Sequence, residues 1–219
     1  PVKPMPPATK RPADISDVKW MLQNWYNFTW TSGDSLLEQA VHSVDKIAWA
    51  MKDQPPISAV ASGGRAVAAE GGNIFDHFNV NYEYPEGVRA FLGCRQQRNC
   101  HGENADYILG TKGRCTIGSG PARIEGEDMF RYRGKKKSMY QVEHDELFAS
   151  IRAGKPMNDG WMATSTLLAL MGRMAAYTGK KITWEQALNS TEDLAPDLVS
   201  WDSEFDVHPL AIPGVTKFS

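Results

Sequence analysis

Apolar residues change their period along this chain, and each change marks a block of structure. From Ile15 to Trp30 the text is aromatic: Trp20, Trp25, Tyr26, Phe28 and Trp30 fall within eleven residues. Part of this is expected to be helical, with Asp14 or Ser16 as cap. A helix over Asp34 to Met51 follows, with Leu36, Leu37, Val41 and Val44 as its apolar stripe, and Pro55-Pro56 prevents continuation. The period then shortens. Ile57 to Val67 reads as β, and Ile74 to Tyr84 alternates, placing Phe78, Val80, Tyr82 and Tyr84 on one face. Pro85-Glu86-Gly87 is a turn, and Val88 to Arg95 returns as the hairpin partner. Tyr107 to Leu109, Cys115 to Gly118 and Met129 to Arg133 are further short strands between glycines. Strands joined by short turns pair antiparallel.

Helical text resumes at Tyr140 to Ala153, where Val142, Leu147, Phe148 and Ile151 form the stripe and Gly154 the stop. A helix over Trp161 to Thr178 ends at Gly179, and Thr183 caps a short one, Trp184 to Asn189. The first fourteen residues hold five prolines and no apolar period, so 1–13 is an extended arm. The stretch 194–219 has no period either and is expected to wrap the surface. Between them, 14–193 forms the body. Helix, sheet and helix in blocks give an α+β class: one open, mainly antiparallel sheet with helices packed on one face.

Composition narrows the partners. The chain has 219 residues, is 42% hydrophobic and carries a formal net charge of −2. No half is strongly basic, which argues against nucleic acid, and Arg131 to Lys137 reads as a solvated turn. No run approaches the ~18 apolar residues of a membrane span. Three cysteines without a CxxC pair argue against a disulfide framework or a structural zinc site, and Cys100-His101 reads as a loop thiol beside a loop imidazole. The chain opens on Pro1 rather than Met, so a fragment or processed product is expected, and the compartment is unknown from its N-terminus.

The polar residues of the second predicted helix carry the candidate chemistry. Glu38, His42 and Asp45 stand at spacings of four and three, which on a continuous helix stacks them along one face. Imidazole accepts and returns a hydroxyl proton near neutral pH. A carboxylate one turn earlier steadies the ring and its charged form. Asp45 either supports the ring from below or caps a neighbouring strand. The plain alternative is a half-buried helix histidine satisfied by Glu38. Elsewhere, His77 faces away from Phe78, as a solvent-face or dimer-contact imidazole or as a donor to a ligand hydroxyl. Arg95 and Gln96 end the same hairpin, within reach of a substrate. Tyr26 and Trp30 belong to an aromatic run suited either to the core or to a stacking wall for a ligand ring. Lys112 reads as a turn residue. Glu38, His42, Asp45 and His77 together permit a metal set, but nothing requires a third ligand nearby.

The stretch Ser32 to Asp45, SGDSLLEQAVHSVD, resembles the second-domain signature of the Gfo/Idh/MocA oxidoreductases, roughly GGGxLxDxGxHxxD. GNIFDHFNVNYEYPEGV resembles that family's first central hairpin, YILGTKGRCTI its "GTKG" strand turn, and "NWYxFTWxSGD" the approach to the helix in its sugar-acting members. The likeness runs from Trp20 to Asn189. It implies a domain like the second one of glyceraldehyde-3-phosphate dehydrogenase, with His42 as acid/base on a sugar hydroxyl. Glu38 assists in place of the usual Asp, while hydride passes to or from NAD or NADP. The family also begins with a Rossmann domain bearing a glycine-rich fingerprint and an EKP motif, and neither occurs here. Gly63-Gly64 follows a strand but opens no helix, and Gly71-Gly72 precedes a strand.

The expectation is therefore the substrate and oligomerisation half of a sugar dehydrogenase. It binds no dinucleotide alone, works with a Rossmann partner and assembles as a homodimer or homotetramer through its sheet. Two alternatives stand beside it: an NAD-dependent glycoside-cleaving enzyme of the same superfamily, and a stand-alone carbohydrate-binding or assembly module.

Overall fold

Ser16 opens the first helix by accepting a hydrogen bond from the Lys19 amide, and α1 runs over Asp17–Gln23. In the computed structural model, residues 10–67, 71–118, 120–135, 137–157, 160–195, 197, 200–205 and 207–219 are described. Most of the proline-rich arm, 1–9, lies outside them. After α1 come α2 (Thr29–Ser32), α3 (Ser35–Glu38) and α4 (Val41–Ala50). The strands β1 (Ser58–Gly64), β2 (His77–Glu83) and β3 (Arg89–Arg95) follow, and β8 (Ile182–Thr183) pairs with β1. These four form an antiparallel sheet in the order β3-β2-β1-β8. The alternation read from sequence is the one observed: Phe78, Val80 and Tyr82 are buried on the inner face, against Ala59 of β1 and Leu92 of β3.

That inner face is covered by α3, α4 and α6 (Trp161–Thr178), whose residues from Ser165 onward belong to the same compact unit as the sheet, Pro1–Gly102 with Ser165–Ser219. Leu36, Val44, Leu168 and Met171 close the core, each fully buried, and each such side chain contributes about 1.5–3 kcal/mol. Helix and sheet approach closely at Gly172. A Cβ there would lie 2.7 Å from the Tyr82 hydroxyl and 3.1 Å from Leu36 Cδ2, so only glycine fits. Tyr82 in turn donates to the Leu168 carbonyl at 3.0 Å. α7 (Trp184–Leu188) starts on a capping box between Thr183 and Gln186. The C-terminal stretch packs back on this unit through Leu210, Ala211 and Phe218, and Gly214 donates to the Thr178 carbonyl.

The remaining strands do not extend this sheet. β4 (Asp106–Gly110), β5 (Gly113–Ile117), β6 (Arg123–Gly126) and β7 (Phe130–Arg131) form a second antiparallel sheet, which with α5 (Met139–Ala153) lies in the unit Glu103–Thr164. The single sheet expected from sequence is thus divided, because among the described residues no backbone ladder joins β3 to β4. β6 escaped notice because RIEG carries one apolar residue. Among the described residues of 103–164 no hydrophobic side chain is buried, and the stripe residues Leu147, Phe148 and Ile151 of α5 stay exposed.

Candidate functional site

The turn before α3 is built around a buried carboxylate. Gly33 (φ 72°) and Asp34 (φ 80°) both take left-handed backbone, which turns the chain between α2 and α3. Asp34 then accepts three hydrogen bonds: from the Ser35 amide at 2.5 Å, the Phe75 amide at 2.7 Å and the Tyr177 hydroxyl at 2.5 Å. It therefore rivets α3 to the entry of β2 and to α6. Complete burial pushes its carboxyl up to about 6, against the pull of those donors. Arg173 lies buried beside it, donating to the Gly33 carbonyl, pairing with Glu192 and standing over the Tyr177 ring at 5.8 Å.

From this anchor the predicted catalytic helix is interrupted. The Ala40 amide reaches back five residues to Ser35, and the His42 amide bonds to Gln39, so the stretch expected as one helix becomes α3 and α4 with a wide turn between. Glu38 and His42 are consequently not ridge neighbours on a regular helix. Glu38 faces Tyr26, whose phenol hydrogen-bonds it and accepts from the Gln96 amide side chain. Burial first, then the charge of Glu38, hold the Tyr26 phenol well above its ordinary range, so it remains a donor. The other Glu38 oxygen, Oε2, is buried and makes no hydrogen bond among the described residues. His42 is exposed at the start of α4, and its ring likewise makes no hydrogen bond among them. Asp45 accepts from the Ser165 hydroxyl at 2.7 Å, which ties α4 to α6.

A second imidazole is held differently. His77 begins β2, and its Nδ1 lies 2.7 Å from Oδ1 of Asp76, which is 1% exposed. Asp76 also accepts from the amides of Ala66 and Val67 and from Gln97. Burial acts to raise its carboxyl, but these donors, His77 foremost, outweigh burial and hold it below the ordinary carboxylate range. Arg95 sits directly across from His77 in the β2–β3 register and donates to the His101 carbonyl at 2.9 Å.

Among the predicted residues, Tyr26, Glu38 and Gln96 are brought into one cluster, and His77 and Arg95 into another. Trp30 packs edge-on against Phe205 at 5.6 Å, with its ring N–H on the Met21 sulfur. Lys112 lies in the β4–β5 turn. Sequence reasoning missed Asp34, Asp76 and Tyr177 as organising groups; the short side chain before a helix and the Asp-His dipeptide were the available signals. Cys94 is a poor nucleophile, its thiol pushed up to about 12 by burial and by Asp34. Among the described residues no group of three His, Cys, Asp or Glu side chains gathers to hold a metal ion, and no helix is long and apolar enough to cross a membrane. Gly63-Gly64 is paired strand, and a Cβ at Gly72 would fall 2.3 Å from the Asn27 carbonyl oxygen, so that glycine is packed against the chain itself.

No protein-family model and no curated protein sequence matches this chain. Solved structures do match its fold. An oxidoreductase from Thermotoga maritima is 19% identical with a TM-score of 0.61, the match covering 81% of this chain and 52% of that one. An aldose-aldose oxidoreductase from Caulobacter crescentus, complexed with glycerol, is 19% identical with a TM-score of 0.59, over 77% and 52%. The WlbA dehydrogenase from Bordetella pertussis, in complex with NADH and UDP-GlcNAcA, is 20% identical with a TM-score of 0.53, over 74% and 50%. The chain thus spans about half the length of the solved structures it matches. At these identities the likeness is one of fold: the α+β fold that the Gfo/Idh/MocA resemblance implied, found in one part of longer oxidoreductases.

Proposed function

We propose that these residues form the substrate-binding and oligomerisation half of an NAD(P)-dependent oxidoreductase acting on a sugar or sugar derivative. The dinucleotide is carried by a Rossmann domain outside this sequence and supplies the hydride chemistry. This chain supplies the proton acceptor. The observation that carries the reading is the exposed imidazole of His42, uncommitted to any hydrogen bond among the described residues, just beyond Glu38 in a fold shared with sugar-acting oxidoreductases.

His42 takes the carbinol proton as a general base, a role open to an imidazole that can both accept and return a proton. Glu38, held by Tyr26, is the carboxylate that assists it. Asp45 keeps α4 seated on α6, and Tyr26, Trp30, His77 and Arg95 contribute to the sugar-binding wall. The outer face of the first sheet at Val60 and Phe91, four residues along the strands from His77 and Arg95, serves as the homodimer or homotetramer surface.

The test joins these residues to a dinucleotide-binding domain and follows NAD+ and NADP+ reduction across hexoses, sugar acids and polyols. Oxidation of a sugar carbinol is expected. Release of an aglycone through a 3-keto intermediate would instead mark the glycoside-cleaving variant. Sugar binding without turnover on any substrate would leave a binding module.

A further inference from the structure

We propose that Asp76 and His77 form a pre-organised hydroxyl-accepting dyad which, with Arg95, binds an anionic polyol such as a sugar acid at the end of the first sheet. Every other group bonded to the Asp76 carboxylate is a donor: two backbone amides at 2.9 and 2.7 Å and the Gln97 side chain at 3.2 Å. A carboxylate so surrounded accepts from His77 Nδ1 as well, which fixes the proton of the neutral ring on that nitrogen. The lone pair is then on Nε2. That atom makes no hydrogen bond among the described residues, and the side chain is 33% exposed. Holding the ring costs a ligand nothing further, because the carboxylate is buried and fully engaged whether or not a ligand is present.

The flanks of the ring define the ligand class. His77 sits in a row across three strands, between Gly64 of β1 and Arg95 of β3. Gly64 contributes no side chain, and even a Cβ there would lie 3.6 Å from His77 Cε1, so the ring is open on that flank. Arg95 spends one N–H on the His101 carbonyl and keeps the rest of its donor fork. A ligand hydroxyl donates to Nε2 while a carboxylate or phosphate on the same molecule accepts from the guanidinium. A neutral sugar meets only the first of these contacts. The choice of a sugar rests on the proposed function; the dyad itself does not, and it is read without measuring turnover.

The experiment uses the 219-residue chain labelled with 15N and observes its imidazole nitrogens while glucuronate or glucose is added. His77 is expected to show a pyrrole-like Nδ1 and a pyridine-like Nε2. Glucuronate should shift the His77 ring with the Gly64 and Arg95 amides, and glucose should bind about tenfold or more weakly. H77A, which leaves Asp76 its other three donors, should lower glucuronate affinity about tenfold or more while the chain stays folded at the assay temperature by circular dichroism. A proton on Nε2 with Nδ1 bare, no response to glucuronate, or undiminished binding by H77A would overturn the proposal. Glucose binding as tightly as glucuronate would remove Arg95 from it.

Discussion

Two buried aspartates organise the two ends of the candidate region, and they resolve the same electrostatic problem in opposite ways. Asp34, completely buried, receives three donors, and burial still wins, raising its carboxyl to about 6. Asp76, 1% exposed, receives four, one of them an imidazole, and the donors win. The consequence reaches the neighbouring histidines. Asp34 spends its bonds on backbone and on Tyr177 and anchors α3, and His42, at the start of α4, makes no hydrogen bond among the described residues. Asp76 spends one on His77 and fixes its tautomer. A free ring is suited to moving a proton; a locked one is suited to recognising a hydroxyl.

The comparison breaks most visibly at Asp34. D34A strands two backbone amides and a tyrosine hydroxyl in the interior and should cost about 3 kcal/mol or more in denaturant unfolding. The pH dependence sharpens the contrast. With a raised carboxyl, Asp34 favours the folded state most below about pH 4, and that share is lost as pH rises through about 6. D34N should flatten the stability curve across that window.

G172A acts on the same side of the molecule. It forces a methyl against Tyr82 and Leu36 and should cost about 1–3 kcal/mol by thermal unfolding, while the His77 imidazole signals stay in place. The smallest effect is expected at Asp76, whose lowered carboxyl stabilises the fold above the ordinary carboxylate range and loses that share as pH falls below it. D76N should remove this acid loss and release the His77 tautomer, at a cost of about 1 kcal/mol near neutral pH.

Much of the fold was legible wherever local rules decide it. The alternation from Ile74 to Tyr84 put Phe78, Val80 and Tyr82 inside. The helix Trp161–Thr178 and the Thr183 cap were readable because their signals lie within a few residues. The break between Glu38 and Val41 was not, because it contains neither proline nor glycine and follows from how Asp34 is fastened to Phe75 and Tyr177, residues 41 and 143 positions away. The same distance hid the Asp76 cluster, whose amide partners lie nine and ten residues upstream on a loop without a pattern. The division into two sheets depends on a strand pairing that is never made between β3 and β4. The motif could therefore name Glu38 and His42, but not that an intervening turn would point the first toward Tyr26 and leave the second exposed.

The central claim is that the unpaired ring, His42, is the proton acceptor, and turnover of H42A tests it most directly. In the proposed enzyme, with these residues joined to a dinucleotide-binding domain, the variant should oxidise a sugar substrate about 100-fold or more slowly, with NAD affinity and unfolding midpoint unchanged. Turnover at the parent rate would contradict the account.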